Sequence, residues 1–129
     1  MGNILLIEHN ADQRMLYETA LREEGYKVVS VGSAKEALLN VEFLSPDIIV
    51  LDILMPDMDG IQLIGRLLSF NKRHKIVVHT AYKTFENNLM MLGVDAYILK
   101  CSDLTILKDR IHKLLEQSNE FNFQWCSNN

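Results

Sequence analysis

A few polar side chains stand where an aliphatic run stops. Asp52 follows Ile48-Ile49-Val50-Leu51 and precedes Ile53-Leu54-Met55-Pro56. Glu8-His9 follows Ile4-Leu5-Leu6-Ile7, Thr80 follows Ile76-Val77-Val78-His79, and Lys100 follows Ala96-Tyr97-Ile98-Leu99. A carboxylate at the end of a buried segment is costly unless it is paired or functional. Asp52 is not needed as a helix cap, because Asp59 is better placed to cap the helix that follows. Were Glu8 to lie near Asp52, the two would repel by roughly 4 kcal/mol at about 4 Å with an effective dielectric of about 20. A hard divalent cation or the Lys100 ammonium would relieve that repulsion. Mg²⁺ binds one or two carboxylates together with phosphate oxygens, and a carboxylate can itself accept a phosphoryl group. Two carboxylates, a hydroxyl and an ammonium gathered at one place therefore point to phosphoryl chemistry at Asp52.

The elements that would gather them can be read from the pattern. With Val28-Val29-Ser30-Val31 added, the aliphatic runs recur at regular intervals. The first and third do not alternate, as expected of strands buried on both faces of a parallel sheet. Between the runs lie helical stretches. Residues 11–24 carry Leu16, Ala20 and Leu21 at helical spacing, with Gly25 placed to end the helix. Ser33 and Glu36 form a capping box; Ala37, Leu38, Val41 and Leu44 make the stripe behind it, and Pro46 stops it. Asp59 and Gln62 repeat the capping logic. A fourth helix is expected from about Thr84 to Leu92, closed by Gly93. A fifth is expected from near Ser102, with Leu104, Leu107, Ile111, Leu114 and Leu115 on one side. Strands alternating with helices imply an α/β, doubly wound parallel sheet with right-handed crossovers. Ligands bind such sheets beyond the carboxyl ends of the strands, where Glu8, Asp52, Thr80 and Lys100 fall.

The chain has 129 residues, one domain's worth, and enough to bury a core without metal or disulfide staples. Its formal net charge of −4 argues against a nucleic-acid partner, which needs clustered Lys and Arg. The short run Lys72-Arg73-His74-Lys75 reads as a solvated loop. Cys101 and Cys126 make no CxxC pair and suggest no disulfide framework, which fits a reducing compartment. No apolar run approaches the ~20 residues that span a bilayer, and no charged segment leads a long apolar stretch at the start. A cytoplasmic protein is expected. His79 should point into the core, and Met90-Met91 reads as packing.

The sequence resembles the receiver domains of two-component signalling. The resemblance covers residues 3 to about 117. It is carried by LDILMPDMDG (51–60), the ILLIE start, PDIIVLD, the HTA turn and DAYILK. It implies a flavodoxin-like (βα)5 fold, a five-stranded sheet in the order 2-1-3-4-5, with residues 1–118 as the receiver domain and 119–129 as a flexible C-terminal tail bearing Phe121, Phe123 and Trp125. It further implies that Asp52 is the phosphoacceptor, Thr80 the hydroxyl that meets the phosphoryl group, Lys100 the partner of a phosphoryl oxygen, and Tyr97 the aromatic switch that follows Thr80. Glu8, Asp52 and the backbone carbonyl of Leu54 would hold Mg²⁺. The protein would be a phosphorelay switch, not an enzyme in its own right. A sensor histidine kinase or phosphotransfer protein would supply the phosphoryl group. A downstream protein would read the face made by the fourth helix, fifth strand and fifth helix, with a homodimer as a further outcome. No output domain is expected after the fifth helix, so output by docking is expected, with no nucleic-acid or membrane partner.

Two positions depart from that family. His9 stands where a second acidic ligand is expected, and neutral imidazole suits zinc or copper better than magnesium; weakened Mg²⁺ binding is expected, with His9 a doubtful ligand. Cys101 stands where the family usually has a proline joined through a cis bond. A non-proline cis bond costs ~2.5–4 kcal/mol, so a trans Lys100–Cys101 bond and a displaced lysine amine are expected. Both departures feed an alternative, a phosphorylation-independent pseudo-receiver that acts as an interaction module. A flavin- or nucleotide-binding enzyme is disfavoured, because the turn Glu8-His9-Asn10-Ala11 lacks the glycines that admit a phosphate.

Overall fold

The computed structural model describes residues 2–70 and 74–127, with side chains for all of these except Met91 and 118–127. Strand and helix alternate in the order β1 (Asn3–Ile7), α1 (Ala11–Glu23), β2 (Lys27–Val31), α2 (Ala34–Leu44), β3 (Ile48–Leu51), α3 (Gly60–Phe70), β4 (Lys75–Thr80), α4 (Glu86–Leu92), β5 (Ala96–Leu99) and α5 (Thr105–Ser127). The strands pair in parallel in the order β2-β1-β3-β4-β5, the arrangement expected from the sequence. Strand order reverses between β1 and β3, so the crevice beyond their carboxyl ends is where a ligand fits.

The non-alternating strands are explained by two cores. Leu5, Ile7, Ile49, Leu51, Ile76 and Val78 face one way, onto Ala37 and Val41 of α2, Leu63 and Leu67 of α3 and Leu89 of α4. Ile4, Leu6, Ile48, Val50 and Val77 face the other way, onto Tyr17 and Leu21 of α1 and Leu107, Ile111 and Leu114 of α5. The aliphatic side chains that alternate along β1, β3 and β4 thus find apolar cover on both faces. Each fully buried Leu or Ile contributes on the order of 2 kcal/mol.

Local chemistry sets the helix ends. Asn10 Oδ1 accepts from Gln13 N at 2.9 Å and Ser33 Oγ from Glu36 N at 3.1 Å, capping α1 and α2. Gly25, at φ 97°, supplies the left-handed turn after α1. Gly60 answers a different need. A Cβ there would overlap the Ile53 carbonyl and lie 2.7 Å from Ile53 Cα, so only glycine lets α3 start against the segment that follows β3.

Several expectations are corrected. Leu16 is 56% exposed, and Tyr17 takes its place inside. Tyr17 and Leu21, one turn apart, define the inward stripe of α1, and Leu16 falls beside it. His74 is buried rather than part of a solvated loop, because it leads directly into β4; Lys72 and Arg73 lie outside the described residues. Met90 is 45% exposed because Leu89 holds the core position on α4; the side chain of Met91 is outside the description. Helix α4 begins at Glu86 rather than near Thr84. Helix α5 begins at Thr105, where Asp103 Oδ1 accepts from Thr105 N at 2.9 Å. The expected tail falls on residues whose side chains are outside the description, Phe121, Phe123 and Trp125 among them.

Candidate functional site

Register brings the strand ends together. Ile7 pairs with Leu51, and Asp52 N donates to Ile7 O at 3.2 Å, so Glu8 and Asp52 emerge side by side. On the other flank Thr80 pairs with Leu99, and Lys100 N donates to Thr80 O at 2.7 Å. The Lys100 side chain then reaches back over the sheet. Its Nζ lies 2.7 Å from Glu8 Oε1, 2.7 Å from Asp52 Oδ2 and 2.6 Å from Gln13 Oε1. Glu8 and Asp52 are both buried, at 4% and 7% exposed.

The second oxygens are also engaged. Asp52 Oδ1 accepts from Leu54 N at 3.0 Å, and Glu8 Oε2 from Asn10 N at 3.1 Å. Arg14 Nη1 donates to the carbonyls of Glu8 at 2.8 Å and His9 at 3.4 Å, fixing the turn from below. Asp57, in the segment between Asp52 and α3, accepts from Ala34 N and Lys35 N at 3.0 Å each. Those amides of Lys35 and Ala34 hold its carboxyl below the usual range, and the contact pins this segment to the start of α2.

Charge balance explains the state of Lys100. Burial alone would lower the pKa of Lys100, but hydrogen bonds and charge from Asp52 and Glu8 outweigh it, and the amine is raised. Beneath it lies His79, 3% exposed, its ring edge-on to Tyr17 with centroids 4.9 Å apart. Burial, and then the Lys100 charge, push this imidazole down to about 4, so it is neutral near neutral pH. It points into the core, as the sequence implied.

Thr80 is fully buried, and its Oγ1 has no hydrogen-bond partner among the described residues. A buried hydroxyl without a partner calls for an explanation, and an anion seated on the pocket would supply an acceptor. Tyr97 is half-buried and its hydroxyl donates to the carbonyl of Tyr82, in the segment after β4. The Lys100–Cys101 peptide is trans. The amine is nevertheless not displaced: the backbone bond to Thr80 fixes Lys100 at the strand end, so its aim does not depend on the next peptide. Cys101 itself is exposed, with Sγ 2.9 Å from Asp103 O.

His9 is exposed, and its ring is close enough to Asp57 to act on that carboxylate. Among the described residues no group of three or more His, Cys, Asp or Glu side chains is set to hold a metal. Glu8 and Asp52 remain, two carboxylates against one ammonium, and that hard-oxygen donor pair fits a divalent cation that keeps several waters. Gln13 and Arg14 are site residues that no strand end or spacing in the sequence singles out. The available signal was Gln13 in the first turn after a capping Asn10, with Arg14 directly behind it.

The chain matches the family described as the response regulator receiver domain over residues 4–112. It is 32% identical over 120 residues to the two-component response regulator PhoP of Pseudomonas aeruginosa, covering 92% of this chain and 53% of PhoP. Among solved structures, it resembles response regulator protein TrrA from Thermotoga maritima in complex with Mg²⁺-BeF, with TM-score 0.83 and 31% identity over 88% of this chain and 99% of that one. It likewise resembles TrrA in complex with the histidine kinase ThkA, with TM-score 0.81 and 30% identity over 89% and 99%. The chain spans about half the length of PhoP. It belongs to the response regulator receiver domain family of two-component signalling. Among the described residues no helix is long and apolar enough to cross a membrane.

Proposed function

We propose that this receiver accepts a phosphoryl group on Asp52 and converts it into a change of its protein-binding face. The observation that carries this reading is the Asp52 carboxylate, buried and paired 2.7 Å from Lys100 at the sheet's switch point, beside a strand that ends in Thr80, whose hydroxyl has no hydrogen-bond partner among the described residues. In the transfer, an Asp52 oxygen forms the bond to phosphorus as the bond to the donor nitrogen breaks. Lys100 neutralises charge on the transferring oxygens. Thr80 donates to a phosphoryl oxygen, and Tyr97 changes its contact with the segment after β4 as Thr80 moves.

Glu8, Asp52 and the Leu54 carbonyl would hold Mg²⁺, with His9 contributing nothing. The ion's chemistry is to neutralise the negative charge that gathers on the phosphoryl oxygens. The phosphoryl donor is a histidine kinase or phosphotransfer protein, a reading supported by the ThkA complex of TrrA. Output runs through α4, β5 and α5, where Leu92, Leu99 and Ile106 are exposed apolar residues, either to a downstream protein or to a second copy. In this reading the receiver unit is 1–118 with 119–129 as an appendage, it catalyses nothing beyond its own phosphorylation and dephosphorylation, and it works in the cytoplasm.

The competing reading is a pseudo-receiver that binds partners without phosphate. His9 in place of an acid, and the absence of a three-ligand cluster among the described residues, favour it. Beryllofluoride with Mg²⁺ separates the two. The switch reading expects amide shifts around Thr80, Tyr97 and α4, abolished in Asp52→Asn. A spectrum that beryllofluoride leaves unchanged supports the pseudo-receiver.

A further inference from the structure

An ammonium has three hydrogens, and Lys100 uses all of them. Two go to the carboxylates of Glu8 and Asp52, and the third goes to the carboxamide oxygen of Gln13, 2.6 Å from Nζ. Gln13 sits in the first turn of α1. A glutamine at that place ordinarily folds back onto the amide of the capping residue. Here the amide of Asn10 already donates to Glu8 Oε2, while Asn10 Oδ1 accepts from Gln13 N. The Gln13 side chain is thereby released from capping and meets a lysine far along the chain. One turn later on the same helix, the ring of Tyr17 lies 5.7 Å from the same ammonium and closes another side.

We propose that Gln13 is a positioning residue for Lys100, an uncharged third acceptor that keeps the ammonium over the pocket when the charge on Asp52 changes. The need is physical. Once an anion occupies the Asp52 side, Lys100 must turn one hydrogen toward it. Without Gln13 only Glu8 would still hold the amine, and the Lys100 side chain is 13% exposed, so water is a poor substitute. A carboxylate at position 13 would hold the amine equally well. It would also set three negative groups against one positive one and repel an incoming anion. An apolar side chain would leave a hydrogen of a largely buried ammonium unpaired.

The functional part rests on Asp52 as the phosphoryl acceptor; the positioning part does not. The test therefore uses two readouts on the full chain and on Gln13→Leu and Gln13→Glu. The first is hydrogen exchange of the Lys100 ammonium, followed by ¹⁵N NMR without phosphate or metal. Exchange is expected to rise about tenfold in Gln13→Leu, the worth of one hydrogen bond to a charged group, and to return to the parent rate in Gln13→Glu. The second is the affinity for beryllofluoride with Mg²⁺, read by ¹⁹F NMR. It is expected to weaken about tenfold in Gln13→Leu and to stay weak in Gln13→Glu, because the added charge repels the anion. Unchanged exchange in Gln13→Leu, with an unaltered backbone spectrum, overturns the proposal. Faster exchange with undiminished affinity overturns its functional half. If the parent protein binds no beryllofluoride, the phosphoacceptor reading fails, and the exchange rates alone decide whether Gln13 positions Lys100.

Discussion

The ammonium of Lys100 lies 2.7 Å from Asp52 and the same distance from Glu8, so one positive charge is shared by two buried carboxylates. Much of the candidate site's chemistry follows from that sharing. Neither carboxylate can be stripped of its partner without leaving charge unbalanced in a region water reaches poorly.

Removing the amine should expose this balance. Lys100→Met is expected to lose about 3 kcal/mol of stability near neutral pH, since two carboxylates then face each other alone. Urea unfolding should recover part of the loss when Mg²⁺ is added. A variant as stable as the parent, and indifferent to Mg²⁺, would mean that the carboxylates do not need the lysine.

His79 predicts an acid limb. Its imidazole, pushed down to about 4 by burial and then by Lys100, stays neutral while the unfolded chain takes up a proton near the ordinary value of about 6.5. Between those values the unfolded state binds more protons, so stability falls with falling pH, by about 3 kcal/mol in total. Above the unfolded value His79 adds no slope. His79→Leu should flatten this limb in urea unfolding across that range. An identical slope in parent and variant would contradict the assignment. Lys100, raised rather than lowered, acts at the other end, and its contribution disappears as pH rises through its folded value.

Gly60 tests the packing that holds the Asp52 segment. Gly60→Ala drives a methyl into the Ile53 carbonyl and is expected to cost about 3 kcal/mol, more than a helix-start alanine elsewhere. Thermal or urea unfolding reads it directly. A neutral or stabilising result would show that the approach of α3 to Ile53 relaxes cheaply.

The strand ends were legible in the sequence because aliphatic runs stop abruptly at Glu8, Asp52, Thr80 and Lys100. Parallel pairing then leaves them little choice but to share one rim. Tyr17, Gln13 and His74 were not legible for a common reason. Their environments come from partners distant in the chain, and no period or spacing encodes a hydrogen bond from Gln13 to Lys100. Leu16 misled because helical spacing alone does not choose between adjacent stripes when Tyr17 can fill the inward one. The place of the Lys100 amine was not legible from Cys101, because the backbone bond to Thr80, not the next peptide, fixes Lys100 at the strand end.

His9 bears on the metal. It is exposed and offers no hard oxygen, so His9→Asp should add one beside Glu8 and tighten Mg²⁺ binding by about tenfold. Isothermal titration or a Mg²⁺-dependent amide shift measures it. An unchanged dissociation constant would mean that position 9 lies outside the ion's reach.

The most direct measurement is intact-mass analysis of the full chain after incubation with acetyl phosphate and Mg²⁺, with peptide mapping of the product. A gain of one phosphoryl group, mapped to Asp52 and missing in Asp52→Asn, is the predicted result. A chain that gains no mass, or gains it equally without Asp52, would contradict the phosphoacceptor account.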